Sequence, residues 1–218
     1  MVRQAFKEQI EELLDDLLLM GQMVSYVLDQ SIQALLRQDT ALAQKVIDGD
    51  SNVNAAQHEI DEKCLVLIAT QQPMATDLRT LLAVTNIAAE LERIGDYTVG
   101  IAKLVLRVAG QPFIKPLIDI PRMAEESRRM LTSMLQAFAD QDAEAACQIA
   151  ASDTVVDNLY GQVFDDLQAI MVKDPHTIKQ ATYLMWVAHN LERIADRTTN
   201  IAERIVFVVS GEIVTLNS

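Results

Sequence analysis

The sequence predicts an all-α protein built from two tandem three-helix bundles related by internal pseudo-symmetry, and three observations carry that expectation. Half of the 218 residues are hydrophobic while only 5% are aromatic, and Gly (7) and Pro (5) are scarce. This balance of Leu, Ala, Gln and Glu favours helix over strand. All five prolines fall at expected helix boundaries, Pro73 and Pro175 singly and Pro112, Pro116 and Pro121 together, so none breaks an apolar period. Finally, Leu91-Glu92-Arg93-Ile94-Gly95-Asp96 returns 100 residues later as Leu191-Glu192-Arg193-Ile194-Ala195-Asp196, with nine identities in twenty positions between 84–103 and 184–203. A repeat on this scale marks a duplicated unit.

Taken in order, Phe6, Ile10, Leu13, Leu14, Leu17, Leu18, Val24, Val27, Leu28, Ile32 and Leu35 recur at helical spacing and predict one long helix over about 5–36. Gln38-Asp39-Thr40 ends it, with Asp39 or Thr40 able to cap the next helix. That second helix is expected to run to about Thr70 despite a polar middle, in which Val53 is the one large aliphatic residue between Asp48 and Glu59. Gln71-Gln72-Pro73 stops it, and a third helix covers about 76–108. A Pro-rich linker at 111–121 then separates a first unit, 1–110, from a second, 122–218.

In the second unit a fourth helix carries Met123, Met130, Leu131, Met134, Leu135 and Phe138, where the methionines read as core filler. Gln141-Asp142 repeats Gln38-Asp39 at an offset of 103 and opens a fifth helix to about Val172. Asp174-Pro175 opens a sixth to about Val209. Helices of this length span roughly 40–50 Å, which predicts an elongated molecule.

The formal net charge is −13. Such a chain is unsuited to nucleic acid, whose recognition rests on neutralising phosphates, and suits cations and basic partner surfaces. No apolar run reaches the ~18–20 residues of a membrane span, and the N-terminus lacks the basic-then-apolar pattern of a secretory signal. Cys64 and Cys147 are far apart in apolar helical patterns and read as reduced core residues. Trp186 reads as packing. The expectation is a cytoplasmic protein.

Chemistry concentrates in the repeated hexapeptide. Glu92 and Asp96 are i and i+4 on one helix face, as are Glu192 and Asp196, and such pairs repel unless a cation lies between them. Leu91, Ile94, Thr98 and Ile101 form the seam towards other helices, so the acids stand one position round from it, on a flank open to solvent. Matching residues by their distance from each hairpin turn brings Asp50 and Asn54 level with the first pair, and Asp153 and Asp157 level with the second. Each unit then offers about four oxygen-bearing side chains at one height. Oxygen ligation suits magnesium, manganese, calcium or iron as Fe(III), while zinc with carboxylates stays open. Asn200, one turn beyond Asp196, is placed to join the second site; its counterpart is Gly100.

The simpler account of each pair is a solvated helix face with Arg93 or Arg193 as salt-bridge neighbour; its recurrence favours a ligand role. The three histidines form no shared cluster, although His189 lies one turn before Glu192. No Glu-x-x-His pair, P-loop, GxSxG or GxGxxG pattern occurs.

Together, Gln72-Pro73-Met74-Ala75-x-Asp77-Leu78-Arg79, the two acidic hexapeptides, Arg197-x-Thr199-Asn200-Ile201-Ala202-Glu203 and Val209-x-Gly211-Glu212 resemble the PhoU family of phosphate-transport regulators over essentially the whole chain. The resemblance implies two three-helix repeats whose E/D-xxx-D motifs, here Glu92/Asp96 and Glu192/Asp196, bind metal ions or multi-iron clusters on the bundle surface. Asn54, where the family usually has Asp, and Gly100, where it often has Asn, depart from the pattern in the first repeat. The implied role is negative regulation of phosphate uptake and of the phosphate-starvation response. The implied partners are a phosphate ABC transporter, through its ATPase subunit, and a membrane sensor histidine kinase. A homodimer is compatible with the long helices. The alternative is a metal-dependent phosphohydrolase using the same surface acids, which requires a base or nucleophile beside the metal.

Overall fold

The computed structural model describes residues 2–216, with side chains from Phe6 onward. Among the described residues there is no strand. The order is α1 (Val2–Arg37), α2 (Thr40–Asp48), α3 (Asp50–Gln71), α4 (Thr76–Val108), α5 (Asp119–Ala139), α6 (Ala143–Ala151), α7 (Asp153–Lys173), a 3-10 turn (Pro175–Thr177) and α8 (Ile178–Ser210). At ~1.5 Å per residue α1 extends about 54 Å.

The expected seams are the buried ones. Ile87, Leu91, Ile94 and Ile101 of α4, and Val187, Leu191, Ile194 and Ile201 of α8, are fully buried, as are Met123, Met130 and Met134 of α5. They belong to one continuous apolar core that runs through both repeats. The repeats close their first turns alike. Gln38 and Gln141 adopt φ of 51° and 53°, and the next residue's N–H returns to Ala34 and Ala137 O, respectively. Asp39 and Asp142 then cap the following helices, each carboxylate accepting a backbone N–H at 2.9 Å, from Leu42 and Ala145.

Two expected elements are divided. The single second helix is α2 and α3 meeting at Gly49, and the single fifth helix is α6 and α7 meeting at Ser152, again 103 residues apart. Between Val46 and Val53 no side chain is fully buried and only Ile47 rests on the core, so little on that side holds the chain straight. Asp50 and Asp153 begin the new helices, where a carboxylate meets the positive helix end. The linker is also shorter than expected. Helix α5 begins at Asp119, and Pro121 lies in its first turn, where a missing N–H costs nothing. The linker is folded rather than loose, because the Gln180 side chain accepts from Ile114 N–H at 2.7 Å and donates to Pro112 O at 3.1 Å.

Helices α4 and α8 run antiparallel along the centre of the molecule. Glu90 of α4 meets Arg197 and Asn200 of α8, while a Cβ at Gly100 would stand 2.9 Å from Asn190 Nδ2. These pairs are reciprocal under the 100-residue offset, which is the arrangement of a pseudo-two-fold axis. On the opposite side α1 approaches α5 so closely that a Cβ at Gly21 would overlap Leu135.

Candidate functional site: two acidic clusters on the helix flanks

The start of α3 lies beside the middle of α4. The contact that fixes the height is Val53 against Gly95, where an added Cβ would sit 3.3 Å from Val53 Cγ1. A small residue at 95 is therefore what lets α3 come close enough for Asp50 to act on both Glu92 and Asp96. Burial raises the Glu92 carboxyl above its usual range, and the charges of Asp96 and then Asp50 add to it. Asp96 is raised by burial and by Asp50. Asn54, one turn along from Asp50, carries a buried Oδ1 with no hydrogen-bond partner. His58, one turn further on, stands close enough to Glu92 to favour its ionised form. The sequence reading had not placed His58 here.

The second cluster is tighter. Asp153 is pushed up to about 7, first by burial and then by Asp157, Asp196 and Glu192. Asp157 and Asp196 are raised in the same way, by burial and then by Glu192. Asp153 Oδ1 is buried and unpartnered, so each cluster holds one orphaned oxygen, although Asp153 answers in position to Asp50 and Asn54 to Asp157. His189 Nδ1 lies 3.5 Å from Glu192. The four acids expected to share this level do share it, as do Asp50, Glu92 and Asp96 in the first repeat.

The clusters differ in their arginines. Arg193 binds Glu192 with two hydrogen bonds of 2.8 Å and reaches Asp196 at 2.5 Å, so a guanidinium lies among the carboxylates. The pairing strengthens the hold on the Arg193 proton. Arg93, its equal in the motif, turns away to Glu90 at 3.0 Å. The cause is one position: residue 90 is Glu, whereas residue 190 is Asn and offers no charge. Glu90, which no motif in the sequence singles out, is a mostly buried acid held by Arg93, Arg197 and Asn200. Asn200 thus places its amide across the repeat boundary, on Glu90 at 3.2 Å.

Oxygen donors at one level and two orphaned buried oxygens suit a hard cation. Among the described residues, however, no three His, Cys, Asp or Glu side chains converge tightly enough to form a ready-made cage. The acids are assembled and mutually repelling rather than already in ligand geometry.

The packing expected of Trp186 is at the surface, and Cys147, expected in the core, is not there. Trp186 is 54% exposed and packs edge-on against His189, with ring centroids 5.6 Å apart. It stands two residues past buried Leu184, on the outer side of α8. Cys147 is exposed, one position round from buried Ala146, while Cys64 is buried as expected. No helix among the described residues is long and apolar enough to cross a membrane.

Comparison with known proteins agrees with this architecture. The family model described as the PhoU domain matches residues 17–105 and again 120–205, once per repeat. The phosphate-specific transport system accessory protein PhoU homolog of Clostridium acetobutylicum is 35% identical over the full length of both chains. The phosphate-specific transport system accessory protein PhoU of Escherichia coli K12 is 36% identical over 95% of this chain and 86% of its own. The crystal structure of the phosphate transport system regulatory protein PhoU from Streptococcus pneumoniae superposes with a TM-score of 0.90 at 31% identity, over 96% of this chain and 99% of that one. The crystal structure of PhoU from Pseudomonas aeruginosa gives the same score and identity over 95% and 100%. With the motif present twice, the fold matched end to end and both repeats accounted for, the chain belongs to the PhoU family.

Proposed function

We propose that the protein is a cytoplasmic, metal-binding regulator of phosphate uptake that works through protein contacts rather than catalysis. Its relatives are named accessory or regulatory proteins of phosphate transport. On this reading it restrains a phosphate ABC transporter through the ATPase subunit, and restrains the phosphate-starvation response through a membrane sensor histidine kinase.

The observation that carries the metal half is the doubled acid cluster with an orphaned buried oxygen in each copy, Asn54 Oδ1 and Asp153 Oδ1. Asp50, Asn54, Glu92 and Asp96 would hold one ion or group of ions, and Asp153, Asp157, Glu192 and Asp196 the other. Magnesium, manganese, calcium, iron and zinc all suit carboxylate oxygen. A bound cation supplies positive charge that removes the repulsion among the acids and ties α3 to α4 and α7 to α8. The helix pairs then present a fixed surface to the partner. In the second cluster a cation would have to displace Arg193 from Glu192 and Asp196, whereas in the first Arg93 is hydrogen-bonded to Glu90 and acts on Glu92 only from a distance.

Elemental analysis of the purified protein tests the metal half directly. Binding to the kinase's cytoplasmic portion, with Glu92, Asp96, Glu192 and Asp196 all changed to Ala, tests its link to regulation; unchanged affinity rejects that link. His58 beside Glu92 and His189 at 3.5 Å from Glu192 favour a second reading, the metal-dependent phosphohydrolase, since each is a candidate base next to the acids. Turnover of phosphoesters by metal-loaded protein, lost on His58→Gln or His189→Gln, would establish that reading instead.

A further inference from the structure

The two ends of the α4/α8 pair are built from equivalent residues, and they have diverged. At one end the last turn of α4, the linker and the start of α8 form a solvent-open pocket of about 450 Å³. Arg107, His176 and Lys179 line it, with Tyr183 and Thr177, and no Asp or Glu is among its lining residues. In a chain of net charge −13 this is a local reversal of sign. Among the described residues Arg107 and Lys179 make no ion pair, although Lys115, further along the linker, is bound to Asp166 at 2.5 Å. The acid nearest in sequence, Asp174, is engaged by the backbone, its carboxylate accepting from His176 N–H at 3.0 Å.

The other end shows what the same framework looks like without this feature. The positions 100 residues earlier than Lys179, His176 and Thr177 are Arg79, Thr76 and Asp77, and the position 100 later than Arg107 is Phe207. Of the two cations Arg107 and Lys179 only the second has a basic counterpart, Arg79, and an acid is added at Asp77. The chain beyond α8 also lies over that cation, since a Cβ at Gly211 would stand 3.1 Å from Arg79 Nη1. That chain is fastened by Leu216 N–H to Glu203 at 3.0 Å. The cavity is thus specific to one end, with its wall preformed by the Gln180 bridge to the linker.

We propose that this cavity binds a small phosphorylated molecule, its phosphoryl oxyanion on Arg107 and Lys179 and its body against Tyr183. Arginine presents a planar fork that matches a phosphoryl group, and the lysine adds a mobile point charge. The volume exceeds that of a bare oxyanion, and Val108 and Ile114 give it an apolar side that an organic body would cover. The site is independent of the acidic clusters and of any metal in them.

The test uses full-length protein freed of divalent ions by chelation, so that the metal reading does not enter. Adenosine monophosphate, inorganic phosphate and adenosine are titrated calorimetrically at low salt. Adenosine monophosphate is expected to bind saturably at one site per chain. Arg107→Gln with Lys179→Gln weakens it on the order of tenfold or more, as for loss of charge-assisted bonds. Lys7→Gln with Lys45→Gln removes the same charge elsewhere and leaves binding unchanged. Inorganic phosphate binding as tightly as the nucleotide, and lost in the same variant, identifies free oxyanion as the ligand; weaker binding identifies a phosphorylated organic one. Both support the site. It is overturned if neither anion binds saturably, if adenosine binds as tightly as its phosphate, or if both double variants weaken binding equally.

Discussion

Asp153→Asn is expected to stabilise the metal-free protein at neutral pH, an unusual outcome for a change at a candidate ligand. Asp153 titrates near 3.8 when exposed and near 7 in the folded chain, where burial and three acid neighbours oppose its charge. A folded pKa above the unfolded one means that the native state holds the proton longer. Stability is therefore full below about pH 4 and declines as the pH rises towards 7. A shift of about three units corresponds to ~4 kcal/mol before screening. The carboxyl is only half-buried, and solvent reduces this to roughly 1–2 kcal/mol. The asparagine also forgoes a carboxylate at the start of α7, worth about 0.3–1 kcal/mol. The net gain is about 1 kcal/mol, a rise in Tm of roughly 2–4 °C for a chain of this size. Thermal unfolding in chelator at several pH values measures it, and the gain should shrink steadily from pH 8 towards pH 4. Added divalent ion should then raise the Tm of the parent more than that of the variant. A variant less stable than the parent at pH 8, or a gain that does not change with pH, would refute the repulsion on which the metal proposal stands.

Three further outcomes follow from other contacts. Arg193→Gln removes the guanidinium from Glu192 and Asp196; the metal-free protein should lose about 1 kcal/mol, while divalent affinity at the second cluster rises in a competitive chelator titration. Weaker affinity would show that Arg193 does not compete with a cation. Asp39→Ala and Asp142→Ala each remove one N-cap bond of the same length, so denaturant unfolding should report nearly equal losses of about 1 kcal/mol. Gly21→Ala drives a methyl into Leu135 where α1 meets α5, and should cost about 1–3 kcal/mol by the same measurement; Gly161→Ala, inside α7 with open space around it, serves as the comparison and should gain about 0.5–1 kcal/mol from helix propensity alone.

The seams of α4 and α8 were legible because every third or fourth residue is apolar, apart from Thr98 and Thr198, and all of these seam residues are buried. The heights at which acids meet were legible too, since a helical hairpin has one rise per residue on both arms. The breaks at Gly49 and Ser152 were not read, although the signals stood in the chain: a polar run with no buried side chain, then an acid at the first position of a new helix. Trp186 packs as its residue type suggests, but on the outside of the helix. Its position relative to Leu184 and Val187 puts it outside the seam, and an aromatic there packs on His189 rather than in the core.

The contrast between Arg93 and Arg193 was also within reach of the sequence, and it shows how a duplicated site diverges. The acids and the arginine of the motif are the same in both repeats, and the one difference inside the hexapeptides, Gly95 against Ala195, faces the neighbouring helix rather than the arginine. The difference is set three residues upstream, where Glu90 draws Arg93 away and Asn190 leaves Arg193 to its own acids. Glu90 also receives Arg197 and Asn200 from α8, so the residue that clears the first cluster is the one that joins the repeats. A change at Glu90 would therefore free Arg93 to fall back on Glu92 and loosen the α4/α8 boundary in one step. The state of the first acidic cluster and the seating of one repeat on the other share a single side chain, and a cation that settles among Asp50, Glu92 and Asp96 would hold Arg93 on Glu90 by excluding it from the acids.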